Sequence, residues 1–197
     1  MRFDIELYES DAGKLIERLF DITGLEHWTK RNEWLIREVN ENGYMRDWLR
    51  ARCSLEWTAG TAITTGELLG ASPFAVTSNA RYELAAFAAA VTQVHDNLSS
   101  SGKKRLRGML VDGLKSEKGL LALQHEISTA VHLVRSGFDV EFNDLESGGG
   151  FDFLATADGA TIEVECKMFS ADVGRQIHRR LAAKLFKVLE SELTQVL

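Results

Sequence analysis

Two carboxylates and a lysine near the end of the chain have the types and spacing needed to hold a divalent cation. Apolar runs flank Asp158-Gly159, a dipeptide that is a strong signal for a β-hairpin turn. With these two residues as the loop, Asp152 on one strand faces Glu165 on the other. Facing carboxylates repel each other, and a cation bound to their oxygens would offset the repulsion. Lys167 shares the face of Glu165, because side chains alternate along a strand.

This arrangement resembles the PD-(D/E)XK signature of restriction-endonuclease-like nucleases. The matching residues are Asp152, a spacer of twelve residues, and the triplet Glu165-Cys166-Lys167 on a predicted strand. Phe151 replaces the proline of the family's nominal motif. In that family a glutamate on the helix before the first core strand often joins the metal site, and Glu126 matches that position. Glu126 also lies beside the apolar stripe of its predicted helix, where a carboxylate is costly unless it is paired or metal-bound.

The resemblance implies a hydrolase of phosphodiester bonds, an endonuclease acting on DNA in preference to RNA. Asp152, Glu165 and Glu126 would hold Mg²⁺, with Mn²⁺ as a substitute. Lys167 would position or deprotonate the attacking water, or stabilise the developing charge. One alternative is a nuclease-derived module that binds nucleic acid or a protein partner without cutting. Another is a helical interaction domain that carries a small α/β appendage.

Several elements must position these residues. Residues 117–135 have the apolar stripe of a helix, residues 138–142 alternate as a strand, and Asp172 can cap a last helix. With the hairpin, the predicted order is helix, strand, strand, strand, helix, which is the order of the resembled core. The last helix begins with a group of donors that the resemblance makes candidate contacts to nucleic-acid phosphates: Arg175, Gln176, His178, Arg179 and Arg180.

The resembled core normally continues to a fourth strand after that helix. Residues 2–8 alternate between apolar and acidic residues like a half-buried strand and could substitute for it. A partner chain could supply it instead, so a homodimer or a complex with a partner protein stays open.

The first half of the chain is predicted to be helical, with helices after Asp11, over residues 28–39, over residues 44–57 and from residue 79 to residue 97. Its four tryptophans fit the core of a helical domain, although nearby arginines leave base stacking open as an alternative. Residues 99–102 have the composition of a flexible linker, and residues 103–107 form the densest basic run, either a solvated helix start or a phosphate contact. The predicted fold class is therefore α+β, with a mainly helical domain at 1–102 and a restriction-endonuclease-like core at 103–197.

Composition limits the classes of partner. The chain has a net charge of -6, so a nucleic-acid-binding surface must be local. It has two cysteines without metal-ligand spacing, no apolar run of membrane length and no signal-peptide pattern. The sequence therefore predicts a cytoplasmic protein that does not bind membranes.

Overall fold

The computed structural model describes residues 11–65, 79–168 and 179–196. The first four helices are α1 (Ala12–Thr23), α2 (Leu25–Glu41), α3 (Arg46–Arg52) and α4 (Ser54–Thr65). Gly24 ends α1, because its φ of 93° suits glycine and its amide donates to Phe20 O. The single helix predicted over residues 44–57 is wrong: the chain bends at Cys53, and the bend brings Cys53 and Glu56 against the side chain of Arg31.

The next helices are α5 (Asn79–Asn97), α6 (Ser100–Lys115) and α7 (Leu121–Arg135). The stretch with linker composition is the start of α6. Ser99 caps this helix by accepting a hydrogen bond from Gly102 N, and Gly102 is buried. The boundary predicted after residue 102 therefore lies inside a helix.

The sheet follows α7 in the predicted order. Its strands are β1 (Asp139–Phe142), β2 (Phe153–Ala157) and β3 (Ala160–Val164), and they form an antiparallel sheet in the order β1-β2-β3. Asp158 and Gly159 have φ values of 51° and 79° and form the two-residue turn that the sequence predicts. The predicted pairing of Ala157 with Ala160 is confirmed. The connection between β1 and β2 contains a short helix, α8 (Asn143–Glu146).

One cluster of buried apolar side chains connects the helices to the sheet. It includes buried residues from Ala12 in α1 to Ala155 in β2, so it has members on both sides of residue 102. Val140 and Phe142 of β1 point into it, as the alternation of the strand predicts. The helical half and the sheet thus share a core.

The tryptophans are core residues, as predicted. Trp28 is buried in the main cluster, and the other three pack against a second cluster formed by Leu35, Val39, Met45, Leu49 and Cys53. Each of these three rings has an arginine guanidinium over it. The pairs are Arg31 with Trp34, Arg52 with Trp48, and Arg50 with Trp57. One face of each of these rings is therefore covered by an arginine of the protein itself.

Arg31 and Glu56 form an ion pair inside this helical half. Their side chains are each 2% exposed. Arg31 Nη1 donates to Ser116 O at 2.8 Å, and Glu56 Oε1 accepts from Leu120 N at 2.9 Å. The helix predicted from residue 117 begins only at Leu121, because residues 116–120 form the turn that makes these bonds.

The last helix, α9 (Arg179–Val196), follows residues outside the described part of the chain. The strand predicted at residues 2–8 and the cap predicted at Asp172 also lie outside the described residues. Large apolar side chains of α9 are about half exposed, with Leu181 and Leu185 at 55%. Within the described residues, no helix combines the length and apolarity needed to cross a membrane.

The turn at residues 116–120 gives a test of the buried ion pair. Gly119 has a φ of 69°, and a Cβ there would overlap Glu56 Oε1 and lie 3.0 Å from Arg31 Nη2. We expect Gly119→Ala to lower the free energy of unfolding by about 2 kcal/mol or more. Gly108→Ala in α6 is the matched control, since a Cβ there meets nothing within 4 Å, and it should stabilise by roughly 0.5–1 kcal/mol. Urea unfolding followed by tryptophan fluorescence measures both, and equal effects would contradict the expectation.

Candidate metal centre

Three carboxylates from three elements meet beside the sheet. Glu126 comes from α7, Asp144 from α8, and Asp152 from the residue before β2. One oxygen from each lies within 4.8 Å of the others. Oxygen ligands lie 2.0–2.6 Å from Mg²⁺ or Ca²⁺, so oxygens with this spacing can surround one such ion after a small adjustment.

The chain brings Asp144 and Asp152 together by closing the connection between β1 and β2. Phe142 pairs with Phe153 at the end of the ladder, and Asn143 N then donates to Asp152 O at 2.9 Å. Asn143 Nδ2 also donates to Gly149 O at 2.6 Å. The intervening turn uses consecutive glycines with positive φ, which lets the chain reverse without side-chain strain. The ends of two neighbouring strands thus place both aspartates on one edge.

Glu126 is the buried member of the cluster. It is 9% exposed, and no hydrogen-bond donor among the described residues reaches its Oε1 atom. Burial, followed by the charges of Asp144 and Asp152, raises the pKa of Glu126 to about 8. A buried carboxylate without a partner is costly, and either a proton or a cation would remove that cost.

Backbone amides orient the other two acids. Leu145 N donates to Asp144 Oδ1 at 2.7 Å, and Cys166 N donates to Asp152 Oδ2. Burial is the main cause that raises the pKa of Asp144, and the charge of Asp152 adds to it. Each aspartate keeps a second oxygen that can bind a cation. Asp144 is not among the residues that the sequence predicts for the site.

Glu165 and Lys167 lie next to this cluster but outside it. β3 ends at Val164, and Asp152 N donates to Val164 O at 3.0 Å, so the ladder stops before the predicted pair of Asp152 and Glu165. Glu165 and Lys167 are exposed and form an ion pair with each other. This contact raises the pKa of Lys167, and the charge of Asp152 adds to the shift, which places the lysine within electrostatic range of the cluster. The ladder of the described strands therefore does not include the predicted pair of Asp152 and Glu165.

The predicted nucleic-acid contacts fall mostly outside the described residues. Arg175, Gln176 and His178 lie in the undescribed stretch. Arg179 and Arg180 begin α9, but their side chains lie outside the description. Two arginines of the basic run in α6 bind backbone carbonyls. Arg105 Nη1 donates to Leu145 O and Glu146 O, and Arg107 Nε donates to Ile22 O.

The donor set suits a hard cation. Carboxylate oxygens without sulfur or imidazole ligands favour Mg²⁺, Mn²⁺ or Ca²⁺ over Zn²⁺ or copper. Glu126 Oε1 supplies the independent indication, because it is a buried acceptor that no described donor satisfies. The residues therefore fit a divalent cation held by Glu126, Asp144 and Asp152.

Glu126 gives a prediction for the pH dependence of stability without added metal. Its pKa is raised from 4.5 to about 8 in the folded state, so the folded chain holds a proton that the unfolded chain releases between these values. The contribution of Glu126 to the free energy of unfolding therefore falls as the pH rises from 4.5 to about 8. Relative to wild type, Glu126→Gln should therefore gain roughly 2–4 kcal/mol at pH 8.5 compared with pH 5.

Urea unfolding in EDTA at several pH values measures this difference. Glu163→Gln is the matched control, because Glu163 is an exposed residue of β3. A pH dependence of stability that is the same in wild type and Glu126→Gln would contradict the assignment of Glu126 as a buried acid with a raised pKa.

A second prediction concerns the cation. Millimolar Mg²⁺ or Mn²⁺ should raise the melting temperature of wild type by several degrees, because an ion that binds only the folded state stabilises it. Asp144→Asn and Asp152→Asn should each lose most of this gain, whereas Glu163→Gln should keep it. An equal gain in all four proteins would show that the ions bind elsewhere.

No family model matches the sequence. No curated protein and no solved structure is significantly similar to the chain. The function is therefore inferred from the chemistry of the site's own residues and from the resemblance of Asp152, Glu165 and Lys167 to a nuclease signature.

Proposed function

We propose that this chain is a Mg²⁺-dependent nuclease, an endonuclease acting on DNA, with Mn²⁺ able to replace Mg²⁺. One observation carries the proposal. Glu126 Oε1 is buried and without a described partner, and the carboxylate of Glu126 contributes an oxygen to a group with Asp144 and Asp152 that a divalent cation can join. The resemblance of Asp152, Glu165 and Lys167 to the PD-(D/E)XK signature indicates nucleic acid as the substrate class. The restriction-endonuclease-like core and the cytoplasmic location belong to the same proposal.

Glu126, Asp144 and Asp152 would bind the cation and determine its position. Glu126 approaches from the buried side, and Asp144 and Asp152 approach from the partly exposed edge of the sheet. When bound, the cation would supply positive charge that polarises a phosphate and lowers the pKa of a coordinated water. Backbone amides hold one oxygen of each aspartate, so the side chains need little reorganisation to bind it.

Lys167 would stabilise charge rather than remove a proton. Its pKa is raised by the hydrogen bond to Glu165, so the ammonium keeps its proton at neutral pH. A charged, exposed ammonium beside Asp152 can bind a phosphate oxygen and offset the negative charge that develops during cleavage. Glu165 orients this ammonium through their ion pair.

A second function is favoured by one specific observation. Glu165 lies outside the group of three acids and is paired with Lys167. If that pair persists when nucleic acid binds, the chain would act as a nuclease-derived module that binds nucleic acid or a protein partner without cutting. A homodimer or a partner protein that completes the sheet is compatible with either function.

Cleavage assays separate the two functions. Wild type should cut at least one of a panel of single-stranded, double-stranded and branched DNA and RNA substrates in Mg²⁺, and EDTA should abolish the cutting. Lys167→Ala should reduce the cleavage rate by about 10²-fold or more, because it removes a charge that stabilises the transition state. It should leave DNA affinity and the Mg²⁺-induced rise in melting temperature nearly unchanged.

Lys118→Ala is the matched control, since Lys118 is an exposed lysine in the turn before α7. Binding by wild type without metal-dependent cleavage of any substrate, together with no effect of Lys167→Ala, would favour the non-cleaving module. Equal losses of cleavage in Lys167→Ala and Lys118→Ala would contradict the role of Lys167.

A further inference from the structure

Arg105 is held at the edge of the acid cluster by uncharged partners. Its Nη1 atom donates to Leu145 O and to Glu146 O, each at 2.7 Å. Both carbonyls belong to α8, the short helix that also contains Asp144. The guanidinium is therefore fixed in place by the same helix that supplies one of the three acids.

The rest of the guanidinium faces the glycine turn. A Cβ built on Gly148 would lie 3.6 Å from Arg105 Nη2, so this nitrogen borders the turn over residues 148–150. A Cβ on Gly149 would meet nothing within 4 Å, so the adjacent space is open. Arg105 is exposed, and no carboxylate among the described residues lies within ion-pair distance of it. Its remaining donors are thus available to a ligand.

The charge of Arg105 also acts on two carboxyl groups of α8. It acts to lower the pKa of Asp144 and of Glu146, although burial dominates at Asp144 and hydrogen bonds from Ser99 dominate at Glu146. Arg105 on α6 and Lys167 after β3 are therefore cations on two different elements that both act on the cluster's aspartates.

The chemistry of these groups defines the ligand. A group of carboxylates repels a polyanion, so a strand of nucleic acid needs local cations to approach it. Arginine keeps its charge at all accessible pH values, and its planar fork matches the oxygens of a phosphate. A turn of glycines without side chains lets a backbone phosphate approach closely.

We propose that Arg105 and the glycine turn at residues 148–150 form a subsite for a backbone phosphate of the nucleic acid. This inference rests on the proposed function, and it assigns the position at which the strand lies beside the acid cluster. The hydrogen bonds to Leu145 O and Glu146 O fix the guanidinium in advance, so little side-chain entropy is lost on binding. Arg105 binds and positions the phosphate, whereas the acids and Lys167 surround the bond that breaks.

The test compares three variants of full-length protein in binding to a fluorescent DNA duplex and to one of its single strands. Ca²⁺ replaces Mg²⁺, because its looser coordination supports binding through oxygen ligands while disfavouring cleavage. Arg105→Gln keeps a donor for the carbonyls of α8 but loses the charge. Arg105→Lys keeps the charge. Arg107→Gln is the matched control, since Arg107 is an exposed arginine of the same helix that also binds a backbone carbonyl.

Arg105→Gln should weaken binding about three- to tenfold at 0.1 M salt and reduce the slope of log Kd against log salt by about one, the signature of one lost phosphate contact. Arg105→Lys should keep most of the slope, and Arg107→Gln should match wild type. Melting temperatures of the three variants show whether a loss of affinity follows a loss of stability.

A salt slope in Arg105→Gln equal to that of wild type or of Arg107→Gln would overturn the subsite while leaving the proposed function intact. If wild type neither binds nor cleaves any DNA or RNA probe, the proposed function fails and the subsite fails with it. If wild type binds without cleaving and Arg105→Gln shows the smaller slope, the subsite stands within the non-cleaving alternative.

Discussion

The buried ion pair between Arg31 and Glu56 connects the two halves of this molecule. Two charges removed from water cost several kcal/mol unless further hydrogen bonds satisfy them. Here those bonds come from the turn before α7, through Ser116 O and Leu120 N. Because Glu126 lies less than two turns beyond Leu120, the hydrogen bonds of this pair also fix the start of the helix that presents the buried acid.

The buried acid of the cluster lacks such partners at its Oε1 atom among the described residues. Glu126 is buried beside two other carboxylates, so its charged form is unfavourable in the folded state. A buried acceptor without a donor is uncommon in folded proteins, and a bound ion is one explanation of it. The shared core, which runs from Ala12 to Ala155, supplies the stability that lets the chain keep these repelling groups together.

The sequence predicts those parts of the site that depend on local rules. The Asp158-Gly159 turn fixes the register of the hairpin, and the apolar stripe of α7 places Glu126 on a buried face. Asp144 could not be predicted in the same way, because its position depends on α8 and on the closure of the connection between β1 and β2. One signal does exist in the sequence: Asp144 follows the first strand almost directly, at the strand end where the hairpin returns with Asp152.

Other differences also have a tertiary cause. Residues 99–102 have the composition of a linker, but Ser99 caps a helix and Glu146 accepts hydrogen bonds from its amide and hydroxyl. The helix expected over residues 44–57 is interrupted at Cys53, where the buried Arg31 donates hydrogen bonds to the side chains of Cys53 and Glu56. In both places a contact distant in sequence outweighs local propensity.

The same burial that raises the pKa of Glu126 would link metal binding to pH. A carboxyl with a pKa of about 8 holds a proton at neutral pH, and a cation must displace that proton to use the oxygen. Protons and metal ions would then compete for one atom, and the site would bind its cation more tightly as pH rises. Arg105 acts on the neighbouring Asp144, because its positive charge favours the ionised form of that carboxyl. Thus one buried oxygen would determine at the same time how stable the empty protein is and how readily its site fills.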